Sequence, residues 1–359
     1  MRRIYYLGLF VPVALTLDLL DASAPLVFFA SALGVVPAAA LMSEATEQLA
    51  ERSGPGVAGL LNVTFGNAPE LIIAVFALSD GLQEVVKASL VGSVIGNSLL
   101  VLGVAMLVGG WKRTSQTFSR TAAQAQSGML LVTVAALVLP AVFQLIHGGG
   151  LPSVGEQRLS FGDQLEQISL GVALILIMTY LAGLFFSLRT HRDLFNPVQE
   201  DDANRSRWSL RRSIVILAGA AVLVAVASDT LVISIEPASH DIGLSQFFIG
   251  VFVVAIVGNA AEHYVAVVAA AKDKMDLAVN IAIGSSAQIG LFVAPIVVLL
   301  SFVIGPGSMA LVFNGYEIVA LILAALITTT FVSDGESTWF EGFQLISVYV
   351  MLALVFSLA

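Results

Sequence analysis

The chain of 359 residues has no cysteine, four histidines and only 11% charged residues. Without cysteine there is neither a disulfide framework nor a thiolate metal site. Soluble domains carry roughly a quarter charged residues, so a share less than half of that excludes the water-soluble classes. Intrinsic disorder is excluded too, because it needs low hydrophobicity and high net charge. Basic residues are the scarcer sign, 16 against 25 acids, for a formal net charge of −9. That balance speaks against nucleic acid as a partner. What fills the chain is apolar: 58% hydrophobic residues and a mean hydropathy of +0.94. The class that remains is an all-α polytopic membrane protein.

A membrane-crossing helix needs about 20 mostly apolar residues. Eleven candidate spans can be read, near 4–20, 24–43, 56–79, 85–109, 126–146, 166–188, 212–235, 244–271, 277–304, 316–333 and 339–358. Gly, Pro or charge marks most of the breaks. The opening Met-Arg2-Arg3 and its apolar run read as a retained first helix, since no convincing small-residue cleavage site follows Asp18–Asp21. If the N-terminus faces the cytoplasm, 14 of the 16 basic residues fall on that side, leaving only Lys87 and Arg158 opposite. A wrong number of spans would scramble this segregation, and by the positive-inside rule the C-terminus then lies outside. The longest cytoplasmic connection, 190–211, carries the acidic run Glu200-Asp201-Asp202 in a basic frame. It reads as a solvated linker or as a segment that attracts cations.

The chain repeats itself. Gly66-Asn67-Ala68-Pro69-Glu70 returns as Gly258-Asn259-Ala260-Ala261-Glu262, and Gly92-Ser93 returns as Gly284-Ser285, both at an offset of 192 residues. In the same register Glu44 lands on Glu236. The expected organisation is an N-terminal helix over 1–22, a first five-helix repeat over 23–189, the linker, and a second five-helix repeat over 212–359. Five is odd, so the second unit enters the membrane from the opposite side. Inverted repeats are a transporter architecture that places substrate near the midplane, on interrupted helices.

Glu70 and Glu262 lie deep inside apolar segments, where an ionisable group is costly and rarely persists without function. Each shares a helix face with the Asn three residues before it, Asn67 or Asn259. Gly66 and Pro69 weaken the first helix, so that backbone carbonyls can turn to a cavity; Ala261 makes the second distortion milder. The following helices offer Gly92, Ser93, Gly96 and Asn97, and Gly284, Ser285 and Gln288, small for close approach and polar as oxygen donors. Two carboxylates with neutral oxygens, Gly66 and Gly258 opening the backbone, suit a hard divalent cation. Calcium accepts an irregular oxygen cage more readily than magnesium. Burial favours a protonated carboxylate and a bound cation the ionised one, so protons and calcium compete for Glu70 and Glu262. His263 is read either as a residue that tunes or relays protons or as a packing histidine. Glu44 and Glu47 near one end of the second helix, and Glu236 ending the seventh, are candidate entrance acids or simply exposed helix-end groups.

The stretches Ser43–Leu78 and Gly92–Gly103 resemble the first repeat of the calcium/proton exchanger family, within the calcium/cation antiporter superfamily, and Gly258–Pro295 resembles its second. The resemblance implies one extra N-terminal helix with two inverted five-helix repeats, mobile second and seventh helices, and exchange of cytosolic calcium for protons with Glu70 and Glu262 as central ligands. Related sodium/calcium exchangers carry Thr-Ser where this chain has Asn67-Ala68. The expected protein is a secondary antiporter, not an enzyme, with no cofactor beyond its transported ions. Its partners are calcium, protons and the lipid bilayer, with a homo-oligomer allowed. The expected location is a prokaryotic plasma membrane, with a vacuolar membrane as the other option. Sodium/calcium exchange and a cation channel stay open as alternatives. An intramembrane metalloprotease wants a His-Glu-x-x-His motif, which is absent.

Overall fold

The computed structural model describes residues 4–52, 61, 64–156, 160–190 and 208–359. Most of the 190–211 linker, including Glu200–Asp202, lies outside the described residues.

Among them, eight helices are long and apolar enough to cross a membrane: α2 Ala24–Ala50, α4 Gln83–Gly110, α5 Arg120–Ile146, α6 Asp163–Thr190, α7 Leu210–Ile242, α8 Gln246–Ala271, α9 Met275–Ser301 and α11 Trp339–Ser357. Three shorter apolar helices join them, α1 Tyr6–Leu19, α3 Ala68–Ser79 and α10 Gly315–Phe331. Local chemistry starts several of these helices. Ser119 and Ser209 accept a backbone N–H at the N-caps of α5 and α7. Asn314 with Glu317, and Thr338 with Glu341, close reciprocal capping boxes on α10 and α11. Gly243, at φ 76°, ends α7 in the left-handed region.

Burial sorts the helices into layers. The apolar stretch of α4 is 78% buried inside the protein, while that of α6 is only 22% buried. Leu174, Ile175, Met178 and Leu181 of α6 stand exposed on its outer side. A large outward apolar face is what a lipid-facing helix presents. Close approach at the centre depends on glycine. A β-carbon on Gly92 of α4 would collide with the Val251 carbonyl of α8, and one on Gly250 would sit 2.8 Å from the Ala88 β-carbon. Small residues of this kind let apolar helices pack backbone to backbone.

Helices α2 and α7 run side by side in opposite directions. Ala38, Met42 and Ala45 late in α2 pack with Leu217, Ala220 and Val224 early in α7. The Trp208 backbone N–H donates to Gln48 Oε1 at 3.0 Å across the same end. Both helices outrun the expected spans, α2 to Ala50 and α7 to Ile242. Glu236 therefore does not end its helix but sits six residues inside it, just before Pro237.

Four stretches widen into π-helical turns: Gly96–Val101 in α4, Phe186–Thr190 in α6, Ile249–Val254 in α8 and Ile289–Val293 in α9. Such turns insert a residue into a helix and often mark functional positions. At one end of the bundle a short antiparallel pair joins β1 (Gln116–Thr117) to β2 (Glu336–Ser337). There Arg113 pairs with Asp273 at 3.4 Å, and Gln116 Nε2 donates to the same carboxylate at 2.7 Å. At the other end Gln83 Nε2 donates to the Gly307 carbonyl at 2.7 Å.

Candidate cation site

Asn67 stands at a break in the chain. The backbone is helical at 64–66, leaves helical geometry at Asn67 (φ −97°, ψ 14°) and resumes as α3 at Ala68. Pro69 fits there because a first helical turn has no partner for its missing N–H. Glu70 falls in the same turn, where the helix dipole favours negative charge. The second motif is built differently. Gly258–Glu262 lie in unbroken α-helix, and the irregularity sits upstream in the π-helical Ile249–Val254. With Ala261 in place of proline, nothing interrupts the ladder at Asn259.

The two carboxylates reach across to each other's motif. A β-carbon on Gly258 would lie 3.3 Å from Glu70 Cγ, and one on Gly66 would lie 3.4 Å from Glu262 Oε1. Each motif's glycine thus leaves the space that the other motif's glutamate fills. Among the described residues neither glutamate forms an ion pair with Lys or Arg.

Their surroundings differ. Glu70 is 8% exposed, and its Oε2 has no hydrogen-bond partner. It borders a cavity of about 10 Å³ shared with Ser89, Ser93, Ala255 and Gly258, room for about one water-sized sphere. Glu262 is half-buried and accepts a short hydrogen bond from Ser285 Oγ.

The amides knit the site together. Asn67 Nδ2 donates to Gln288 Oε1 at 2.8 Å. Asn259 Nδ2 donates to Ser93 Oγ and to the Ala255 carbonyl, both at 2.9 Å. Asn97 Nδ2 donates to Asn259 Oδ1 at 3.2 Å, and His263 Nε2 donates to Asn97 Oδ1 at 2.9 Å. The π-helical turn Gly96–Val101 carries Asn97 into this network. One cluster therefore gathers Gly66, Asn67, Glu70, Ser93, Asn97, Gly258, Asn259, Glu262, His263, Ser285 and Gln288. Among the described residues no three His, Asp or Glu side chains converge in the manner of a metal centre. A cation here would rest on two carboxylates and neutral oxygens.

The candidate entrance acids sit on α2 and α7. Glu44 is half-buried and Glu47 exposed on α2. Glu236 is exposed on α7 and borders a separate open cavity of about 680 Å³ with Ser239 and His240. Because α2 and α7 are antiparallel, Glu44 and Glu236 occupy opposite ends of the pair.

Several polar residues escaped the sequence reading. Ser89 lines the cavity one turn before Ser93, and extending the same polar stripe by four residues would have found it. Gln126 of α5 donates to Asn280 of α9 beside Gly284, a pairing that no spacing announces. Lys87 does not lie in an exposed connection. It sits in the second turn of α4, 5% exposed, donating to the Val312 carbonyl at 3.2 Å and lying 5.2 Å from the Phe161 ring centre. Glu317, which carried no expected role, is 2% exposed in its capping box.

Comparison with known proteins decides the family. The sodium/calcium exchanger protein family matches residues 23–189 and 212–358. The Ca(2+)/H(+) antiporter ChaA of Bacillus subtilis is 40% identical, over 100% of this chain and 100% of its own. The chain belongs to the calcium/proton exchanger family. Within it, the Ca(2+)/H(+) antiporter of Synechocystis is 41% identical, covering 92% of this chain and 90% of its own. The vacuolar calcium ion transporter of Schizosaccharomyces pombe is 37% identical, over 97% of this chain and 82% of its own. Among solved structures, native YfkE superposes with a TM-score of 0.83 at 38% identity, covering 99% of each chain. The H+/Ca2+ exchanger CAX shares the fold at a TM-score of 0.70 and 14% identity, covering 99% of this chain and 91% of its own.

Proposed function

We propose that the chain is a secondary antiporter, not an enzyme, which exports cytosolic calcium in exchange for protons by alternating access. Calcium and protons compete for Glu70 and Glu262, with Asn67, Asn259, Ser93, Asn97, Ser285 and Gln288 as supporting oxygens. The observation that carries this reading is the reciprocal packing of two glutamates, one buried and one half-buried, against each other's glycine, with no cationic side chain paired to either among the described residues. Two carboxylates without a fixed counter-ion need either one divalent cation or protons to become neutral. A carrier that reorients only when neutral couples the two ions. The names of the relatives agree with this choice of ions.

The proposed topology has eleven crossings: an N-terminal helix in 1–22 and inverted five-helix repeats in 23–189 and 212–359, joined by the cytoplasmic linker 190–211. The two family matches nearly coincide with these repeats, and the antiparallel α2 and α7 suit an inversion. The N-terminus is placed in the cytoplasm of a prokaryote and the C-terminus outside.

The test is calcium uptake into vesicles holding the purified protein, with pH and sodium gradients imposed separately. A pH gradient alone should drive uptake, and Glu70→Gln or Glu262→Gln should abolish it. Uptake driven only by sodium would favour the sodium/calcium reading that the family description also allows.

A further inference from the structure

The amide network around Asn97 runs in one direction. His263 Nε2 donates to Asn97 Oδ1, Asn97 Nδ2 donates to Asn259 Oδ1, and Asn259 Nδ2 ends the chain on Ser93 Oγ and the Ala255 carbonyl. Both asparagine oxygens therefore face a donor hydrogen. A cation seeks those same oxygens and is repelled by a hydrogen already aimed at them. The order of the chain goes with one tautomer of its first member: with Asn97 Oδ1 turned to His263, Nε2 carries the ring proton. In that tautomer, an Asn97 flipped alone would set its amide N–H against the N–H of His263 and its oxygen against the Asn259 oxygen, so two bonds would be lost at once. Asn97 and Asn259 are each 1% exposed, and a buried polar group without its partner is costly.

We infer that His263, Asn97 and Asn259 form a directional hydrogen-bond latch that holds both amide oxygens away from the cation, and that His263 is the positioning residue that sets it. This rests on the proposed exchange of calcium. The second repeat's histidine has no equivalent in the first, where Leu71 stands 192 residues before it. Asn97 likewise faces Ile289 in the repeat register. The latch thus has no counterpart in the repeat register, and calcium capture must open it at Asn97 and Asn259.

The transport test uses the vesicle assay with apparent calcium KM and maximal rate read separately. His263→Leu removes the donor and should lower KM, by about three- to tenfold if one net hydrogen bond is what calcium has to displace. His263→Gln keeps an N–H donor and should stay within about twofold of the parent protein. A His263→Leu protein whose KM equals or exceeds the parent's overturns the latch. A second measurement needs no transport: nitrogen NMR of histidine-labelled protein in lipid nanodiscs. His263 should show a protonated Nε2 whose resonance moves in Asn97→Ala, and an unmoved resonance also overturns the latch. If the parent protein shows this signature yet takes up no calcium, the exchange reading fails while the hydrogen-bond chain stands.

Discussion

Glu70 and Glu262 are alike in sequence and unlike in setting. Glu262 takes a hydrogen bond from Ser285, while Glu70 has an unpartnered oxygen against a cavity the size of one water. On the proposed function, both glutamines should abolish gradient-driven uptake, since either leaves one negative charge to balance two positive ones. The sign of the pH dependence follows from the same competition. Lower pH on the calcium-loading side fills the carboxylates with protons, so apparent KM should rise as pH falls, by as much as about tenfold per competing proton per pH unit. Uptake measured across pH 5 to 8 with a constant gradient checks this, and a flat KM would exclude direct competition. The glutamates and their asparagines were legible because acids inside long apolar segments are so few. The order of the amide bonds was not, since it depends on which side chains meet across a distance of more than 160 residues.

At the scale of the helix, glycine and proline do different things in the two repeats. The break at Asn67 was readable from Pro69, and so was the smoother passage through Asn259 with Ala261. The π-helical turns were not readable, because residues such as Leu99 or Phe292 look the same in an α- or a π-helix and only the neighbouring helices decide. Gly92 offers a direct test of helix approach. Gly92→Val would drive a side chain into the Val251 carbonyl, and overpacking of this kind costs about 1–3 kcal/mol or more. Its thermal transition in detergent should drop by several degrees. Gly171 on the outward-facing α6 has nothing within 4 Å of a β-carbon, so Gly171→Ala should match or slightly exceed the parent protein. Equal losses at both positions would contradict the layer assignment.

For the whole molecule, orientation can be tested because the native chain contains no cysteine. His240→Cys at the exposed end of α7 should react with a membrane-impermeant maleimide on intact cells. Lys272→Cys, exposed after α8, should react only after the cells are opened. The reverse pattern would invert the proposed topology. The expected repeats also imply that the two ends of the bundle play equivalent parts, yet they are built differently. One end is joined by the Arg113–Asp273 pair, half-buried at the arginine, and a two-residue β pair. The other buries Glu84, Lys87 and Glu317. In the repeat register Glu84 meets another acid, Asp276, but Lys87 meets Val279 and Glu317 meets Ala125, so the lysine and its second acid have no counterpart.

By itself the sequence determined the membrane class, the doubled Gly-Asn-x-x-Glu motif and the pair of acids set within long apolar segments. These depend on composition and on spacing along one chain, which hydrophobic burial and helix geometry translate directly. The tertiary structure alone decided which oxygen accepts from which donor, how far each glutamate is buried, and that each motif's glycine makes room for the other's carboxylate. Those outcomes depend on where helices distant in the chain cross, and crossing is set by packing over the whole bundle rather than by any local run of residues.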